Sequence, residues 1–417
     1  TIANSISLVS TGAASWVVGM HSPNAGATWI SNTVRNLTNN NGTGTTTLAS
    51  VIGMNMTSTT PTDTVSQNTI HSLSNTHVSL ATTVCGIQFT GSAIGNLIER
   101  NFIHSFNNAS TAGIINGINV SGGTSTFRNN MIRLGIDAAG ASITNSVAIN
   151  GINALLGTDN FYNNSVYVGG TGVVSGAVNS YAFNHQQTVN TRNFRNNIFW
   201  NARSNASGTG KNYAVRVGGT TVNPTGLTSD YNLFYASGTG AVFGFYNSLD
   251  VADISAWRTA TGQDNNSLSN YDPQFIAPNG DVSTVNLHIS PTNPTVIEGS
   301  GIAIANVVDD FDGQTRSGLT PTDRGADAGN FVAQDVSAPG ISYSVLGGTS
   351  SLVNRVLSAT ITDNSGVPTA GALQPRIYYR KNAGSYFSSQ GSLQSGSATN
   401  GVWDLTIVAA DLGGIAP

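Results

Sequence analysis

The chain has 417 residues, only 9% of them charged against 39% hydrophobic, with 48 glycines and a formal net charge of -4. Soluble domains usually carry about 25% charged residues, so this surface must be built from Asn, Ser, Thr and Gly, without the clustered Lys and Arg that nucleic-acid binding needs. A single cysteine, Cys85 in the apolar run "TTVCGIQFTG", rules out an internal disulfide or a thiolate metal cluster and reads as a buried, inert thiol.

No run of about 18 apolar residues is present, so no membrane insertion of this segment is expected, and no signal peptide is visible at Thr1. Along residues 1–250 one phrase returns: "TFRNNMIRLG" at 126–135, "NFYNNSVYVG" at 160–169 and "NFRNNIFWNA" at 193–202. Aligned on one asparagine, the copies fall at Asn4, Asn32, Asn68, Asn101, Asn130, Asn164, Asn197 and Asn232, with gaps of 28, 36, 33, 29, 34, 33 and 35. Two positions later stands Ile6, Val34, Ile70, Ile103, Ile132, Val166, Phe199 or Phe234. Three positions earlier stands Trp29, Val65, Ile98, Phe127, Phe161 or Phe194, with Ser229 the exception.

A second phrase, a small residue followed by an apolar one as in "CGIQF" and "NGINV", keeps the same period. It places Gly19, Gly53, Gly86, Gly117, Gly151, Ala182, Ala214 and Gly244 between the asparagines. A period near 33 residues belongs to solenoids. Its runs of four to six residues alternate apolar with polar and are separated by Gly, Asn and Ser, which is strand and turn chemistry. Such strands bury their inward face only by stacking coil on coil, so the fold class expected is all-β, a parallel β-helix solenoid. A β-propeller blade would need about 40–45 residues and hairpin turns.

In this reading each repeated asparagine sits at a sharp corner, entering the left-handed backbone region more cheaply than other non-glycine residues. Stacked about 4.8 Å apart, the amides bond one another as an asparagine ladder through Asn32, Asn68, Asn101, Asn130, Asn164, Asn197 and Asn232. Eight coils make a rod of roughly 40 Å.

Residues 251–334 break the pattern. "DISAWRTATGQDNNSLSNYDPQF" (253–275) holds the plausible helical turns, around Trp257, and "LHIS", "PTNPTVIEGSG", "DDFDGQTR" and "DRGADAGNF" follow. This ordered series, Asp272–Phe275, Leu287–Ser290, Ser290–Gly299, Asp310–Arg316 and Asp323–Ala326, resembles the C-terminal closing region of secreted bacterial right-handed β-helix proteins. The likeness implies a right-handed coil, and we expect the closing region to cover one end of it. The pattern departs from that family in "RGADAG", after the second alanine.

Residues 335–417 change character again, with alternating strands in "DVSAPGISYSVL", "RVLSATITDNSGV", "PRIYYRK" and "GVWDLTIVAADLGG". They resemble the immunoglobulin-like β-sandwich modules of large surface proteins exported by the type IX secretion system. About seven strands and 100 residues make such a sandwich, so this one is expected to be incomplete and the chain to be a piece of a longer protein.

Chemistry is sparse. Residues 1–229 contain four carboxylates, Asp63, Glu99, Asp137 and Asp159, and none recurs at a stacking position. Glycosidases need two carboxyl groups roughly 5–9.5 Å apart, and the Asn-Thr-Asp, Asp-Asp, Gly-His-Gly and Arg-x-Lys set of polygalacturonase-like enzymes is missing. We therefore expect no enzyme, no catalytic residue and no cofactor. Asp309, Asp310 and Asp312 before Gly313 hint at a calcium loop, but Leu319 stands where an EF-hand needs glutamate; a self-bonded Asp-Gly turn is the plainer alternative.

Three positions after the repeated asparagines come Ser7, Arg35, His71, His104, Arg133, Tyr167, Trp200 and Tyr235, which alternation places outward. His71 and His104 would stack one coil apart, with no third metal ligand evident. Tyr167, Trp200 and Tyr235 would form an aromatic row, either a ligand-binding surface for a sugar or protein or a stack that simply stabilises the sheet. The function expected is a non-enzymatic structural or adhesive module of a large secreted bacterial cell-surface protein, an adhesin whose partners are surface glycans or copies of itself. The alternative is a polysaccharide-degrading or polysaccharide-binding β-helix protein.

Overall fold

The computed structural model describes residues 7–8, 16–40, 49–59, 62–319, 322–349 and 352–413, so the repeat copy at Asn4 lies outside the described residues. Two compact units are present, Thr1–Ala333 and Gln334–Pro417.

In the first unit the apolar rows found in the sequence become the interior. Val34, Ile70, Ile103, Ile132, Val166, Phe199 and Phe234 pair in register from coil to coil, all parallel. Trp29, Val65, Ile98, Phe127, Phe161 and Phe194 do the same. Their side chains join one continuous core, within which Phe127 and Phe161 stack at 4.8 Å. The result is an all-β parallel solenoid of about seven turns. Long strands, Ile114–Arg128 and Ala148–Tyr162, run round a corner and join two faces into one fourteen-stranded sheet. A separate eight-stranded sheet forms another face and ends at Leu268–Ser269, one coil beyond Asn232.

The ladder is present, with a correction to its backbone. The left-handed residue is not the ladder asparagine but the one before it: Ser31, Gln67, Arg100, Asn129, Asn163, Asn196 and Tyr231, with φ between 52° and 58°. In the Asn-Asn pairs the first asparagine turns the corner and the second fills it. Each ladder Nδ2 donates to Oδ1 of the next, from Asn32 through Asn68, Asn101, Asn130, Asn164 and Asn197 to Asn232, at 2.9–3.1 Å. From Asn68 onward the same Nδ2 also donates to a backbone carbonyl of the preceding coil, as Asn164 does to Phe127 O at 2.9 Å. The row closes on a serine and an aspartate: Asn232 donates its backbone N–H to Ser267 Oγ and its amide to Asp264 Oδ1.

The small residues have a steric cause. A Cβ on Gly117 would lie 2.5 Å from Gly151 O and 2.6 Å from Ile132 Cγ2, because the strand bends inward there onto the next coil. Gly117→Ala is expected to destabilise by about 1–3 kcal/mol, the usual cost of overpacking, readable as a lower midpoint in urea unfolding. Gly244 falls out of this series, since the register pairs it with Val215 rather than Ala214. Its missing side chain instead admits Trp257, whose Cζ3 would lie 2.8 Å from a Cβ.

Trp257 sits on the one α-helix among the described residues, Ile254–Thr261. Asp253 caps its start by accepting from Ala256 N, and Gly262 ends it at φ 69°. Trp257 packs on Phe234, Phe243 and Tyr246 and donates Nε1–H to Asp264 at 2.9 Å, closing the C-terminal end of the apolar interior. No helix among the described residues is long and apolar enough to cross a membrane.

Of the closing region, the helix at Ile254–Thr261 does cover one end of the coil, and only beyond it do expectation and structure part. Residues 271–331 do not cover the solenoid's end; they run back along the outer face of the eight-stranded sheet. Arg324 donates to Asn232 O and Asn266 O, Gly325 N to Asn196 O, Ala326 N to Ser165 Oγ, and Arg316 to Asn129 Oδ1. Furthest back, Arg100 donates Nε–H to Phe311 O at 2.8 Å. Beneath this strap lies a second apolar core, Met131, Tyr167, Ile198 and Leu233 of the sheet against Phe275, Leu287, Ile289 and Ile297. Apolar residues on an outward row demand such a cover.

In the second unit, strands Gly340–Tyr343, Arg355–Thr362, Asn400–Ile407 and Ser392–Gly396 form an antiparallel sheet in that order. Arg376–Tyr379 and Phe387–Gln390 make a separate antiparallel pair. Ile361, Val367 and Trp403 are its buried cluster, with Leu393 packed against them.

Candidate ligand-binding face

The outward row proposed from sequence is largely covered by the strap. Tyr167 is 3% exposed, its hydroxyl donating to Asn279 Oδ1 at 2.7 Å, and burial pushes its pKa up to about 12. Trp200 and Tyr235 are half-buried and stack at 5.2 Å; the indole packs against Phe275 and donates to Ser237 Oγ. A sugar reaching Tyr167 would have to displace Asn279, so for Tyr167 the geometry is that of packing. Arg133 is fully buried, donating to Ser105 Oγ, Ile136 O and Gly280 O.

His71 and His104 do stack one coil apart, with ring centroids 5.2 Å apart and planes within 12°. Burial first, then the charges of His71 and Arg133, push His104 down to about 3, so it is neutral at physiological pH. The Asp309–Asp312 loop diverges: Asp309 meets Arg100, Asp310 accepts from Gln314 N and Ala328 N, and Asp312 meets His288. The three carboxylates face three different partners rather than one centre.

A different face emerges on the fourteen-stranded sheet. Where the strand bends at the small residue, that residue and the next both point inward, so the residues flanking them both point outward. This makes two parallel rows. One runs Val18, Ile52, Cys85, Asn116, Asn150, Tyr181, Tyr213 and the other His21, Asn55, Gln88, Asn119, Asn153, Asn184, Arg216. The second row is polar in these seven copies, before Phe245 takes the position on the next coil, a signal available in the sequence and overlooked there.

Amides pave the middle of the strip. Asn150 donates to Asn116 Oδ1 and Asn153 to Asn119 Oδ1, at 2.9 and 2.8 Å. Asn184 Nδ2 donates to both Asn150 Oδ1 and Asn153 Oδ1, which ties the two rows together. Asn184 Oδ1 is buried and has no hydrogen-bond partner, and Arg216 is the residue's register partner on the next coil. At the apolar end, Cys85 is fully buried and burial raises its thiol pKa, so it stays protonated and inert.

At the other end the strip is aromatic. Tyr181 and Tyr213 stack at 5.0 Å with planes within 7°, and the Arg216 guanidinium lies 6.0 Å from the Tyr181 ring and 5.3 Å from that of Phe245. Beside them is an open depression of about 700 Å³ lined by Asn179, Lys211, Tyr213, Phe245, Leu249 and Asp250. Asp250 is paired with Lys211 and accepts from Tyr213 Oη–H at 2.8 Å; the Lys211 bond holds its pKa below the usual carboxylate range. A general acid needs the opposite shift, so this carboxylate is set up as a fixed acceptor, not a proton donor.

Compared with protein-family models, with curated proteins and with solved structures, the chain matches none.

Proposed function

We propose that the chain is a non-enzymatic structural and adhesive module of a large secreted bacterial surface protein, in which a right-handed β-helix rod and an immunoglobulin-like module follow one another. We infer further that the rod engages a neutral glycan at the half-buried aromatic end of the strip, around Tyr181, Arg216 and Phe245. The observation that carries this reading is the half-buried Tyr181 ring, stacked on Tyr213 and flanked by Arg216, beside an open depression lined by Asn179 and Phe245. Amide acceptors for hydroxyls beside flat apolar faces suit a sugar ring, which is apolar on its faces and polar round its edge. Secretion is supported by the resemblance of the closing motifs; type IX export is part of the same proposal.

The test is a glycan array with the whole chain, comparing wild type with Tyr181→Ala, Asn184→Ala and Trp200→Ala. Binding is expected to weaken about tenfold in Tyr181→Ala, the loss of one stacking contact, and to persist in Trp200→Ala. Loss in Trp200→Ala alone would move recognition to the row under the strap. Turnover of a bound polysaccharide would favour the degrading alternative, and silence across neutral glycans would leave the solenoid as a spacer.

A further inference from the structure

Three segments of the strap converge on one imidazole. His288 lies on the strand Asn286–Ile289, Asp312 in the turn before Gly313, and Asp327 in the "DRGADAG" stretch. One ligand atom from each lies within 4.8 Å of the other two. None of them belongs to the glycan strip.

The protonation pattern is constrained by neighbours. His288 Nδ1 is 2.6 Å from Asn286 Oδ1, and an amide oxygen only accepts, so Nδ1 carries the proton and donates it. In the neutral ring Nε2 therefore presents a lone pair, and it lies 2.9 Å from Asp312 Oδ2, a second acceptor. Two acceptors face each other stably only with positive charge between them, a second proton or a cation. Asp327 is 7% exposed, and its Oδ2 accepts from Ile289 N at 2.7 Å, which fixes the carboxylate beside the ring. Asp310, the next carboxylate, has both oxygens engaged by backbone N–H groups and does not join the set.

We propose that His288, Asp312 and Asp327 bind a divalent transition-metal cation of the zinc class. One imidazole nitrogen and two carboxylate oxygens, with water as a fourth ligand, match tetrahedral zinc. Calcium asks for six to eight oxygens, which this trio does not offer. Asn286 supplies the partner that a metal-bound histidine uses on its other nitrogen. Ligand atoms about 3.3 Å apart are needed for bonds near 2.0 Å, and Asp312, on an exposed turn with its side chain 45% exposed, has the freedom to close that gap. A cation here would pin the three segments together and make the strap's attachment metal-dependent.

The whole chain, stripped with chelator and titrated with zinc chloride by calorimetry at near-neutral pH, is expected to bind one equivalent and to melt at a higher temperature. Cobalt(II) in its place should give the intense visible bands of a tetrahedral centre. Asp312→Asn, a change at an exposed side chain that leaves the fold intact, should weaken zinc at least tenfold, and His288→Gln likewise. His71→Gln, in the separate histidine stack, should change nothing. If Asp327→Asn does not fold, Asp312→Asn still decides the matter. Absence of one-to-one binding tighter than about 100 µM, or binding that survives Asp312→Asn and is lost in His71→Gln, would overturn the assignment.

Discussion

Asn164→Ala is expected to destabilise the solenoid by roughly 3–5 kcal/mol, the cost of leaving two or three buried polar groups without partners. Asn164 Oδ1 accepts both the backbone N–H and the side-chain amide of Asn130, at 3.1 and 2.9 Å, while its Nδ2 donates to Phe127 O and Asn197 Oδ1. Alanine deletes all four bonds in a site from which water is excluded, since Asn130, Asn164 and Asn197 are each 0% exposed. Its neighbour should behave differently. Asn163, at φ 52°, supplies the left-handed corner and donates to Asp323 O at 3.2 Å. Asn163→Gly relieves the backbone by about 1 kcal/mol but loses that bond and the 3.4 Å one accepted from Asn196 Nδ2, a net loss of about 1 kcal/mol that stays well below that of Asn164→Ala. Chemical unfolding of the two variants separates the roles: equal losses would mean that the corner and the ladder are not divided between the two asparagines.

That division also shows what the sequence could and could not reveal. The period, the inward rows and the ladder itself were legible because stacking forces like residues onto one another at every coil. Which asparagine of a pair turns the corner was not, since either accepts a left-handed backbone at similar cost. The informative copies were those with Ser31, Gln67, Arg100 or Tyr231 before the ladder residue: no asparagine stands there, yet the corner persists.

The lateral strap was hidden for another reason. Its motifs signal that the solenoid ends but not where the chain then goes. The clue lay on the sheet, where Met131, Ile198 and Leu233 point outward one place after the ladder. An apolar row on a solvent face would be costly, and covering it is what the strap does. The strip from His21 to Arg216 was likewise legible, had the flanks of the small residues been compared as closely as the small residues themselves.

Asp159→Asn is expected to stabilise the protein, and to do so only where the wild-type carboxyl is asked to ionise. Asp159 points into the solenoid beside the aromatic row, is 1% exposed, and neither carboxylate oxygen has a hydrogen-bond partner. Its register partner Arg192 makes no hydrogen bond to it: the two terminal nitrogens donate to the carbonyls of Asn190, Thr225 and Gly218, and Nε has no partner. Burial pushes Asp159 up to about 8, from an ordinary value of 3.8, with the Ser125 backbone pulling more weakly the other way. The unfolded chain releases this proton near pH 4 and the folded chain only near 8, so stability falls as pH rises through that interval, by about 1.4 kcal/mol per pH unit at most.

His104 and His185 act in the opposite sense. Burial depresses both to about 3, so they stay neutral in the fold, and their contribution is lost as pH falls from about 6.5 toward 3. Above pH 6.5 the histidines no longer contribute a slope, and the decline set by Asp159 should stand exposed. Thermal unfolding between about pH 6.5 and 8 should show a falling midpoint in the wild type and a flatter one in Asp159→Asn, the two converging below about pH 3, where the carboxyl is protonated in both states. A variant equally stabilised at pH 4 and pH 8 would place the effect in packing. A variant with no gain at pH 8 would mean that the buried carboxylate finds a partner for its charge inside the coil.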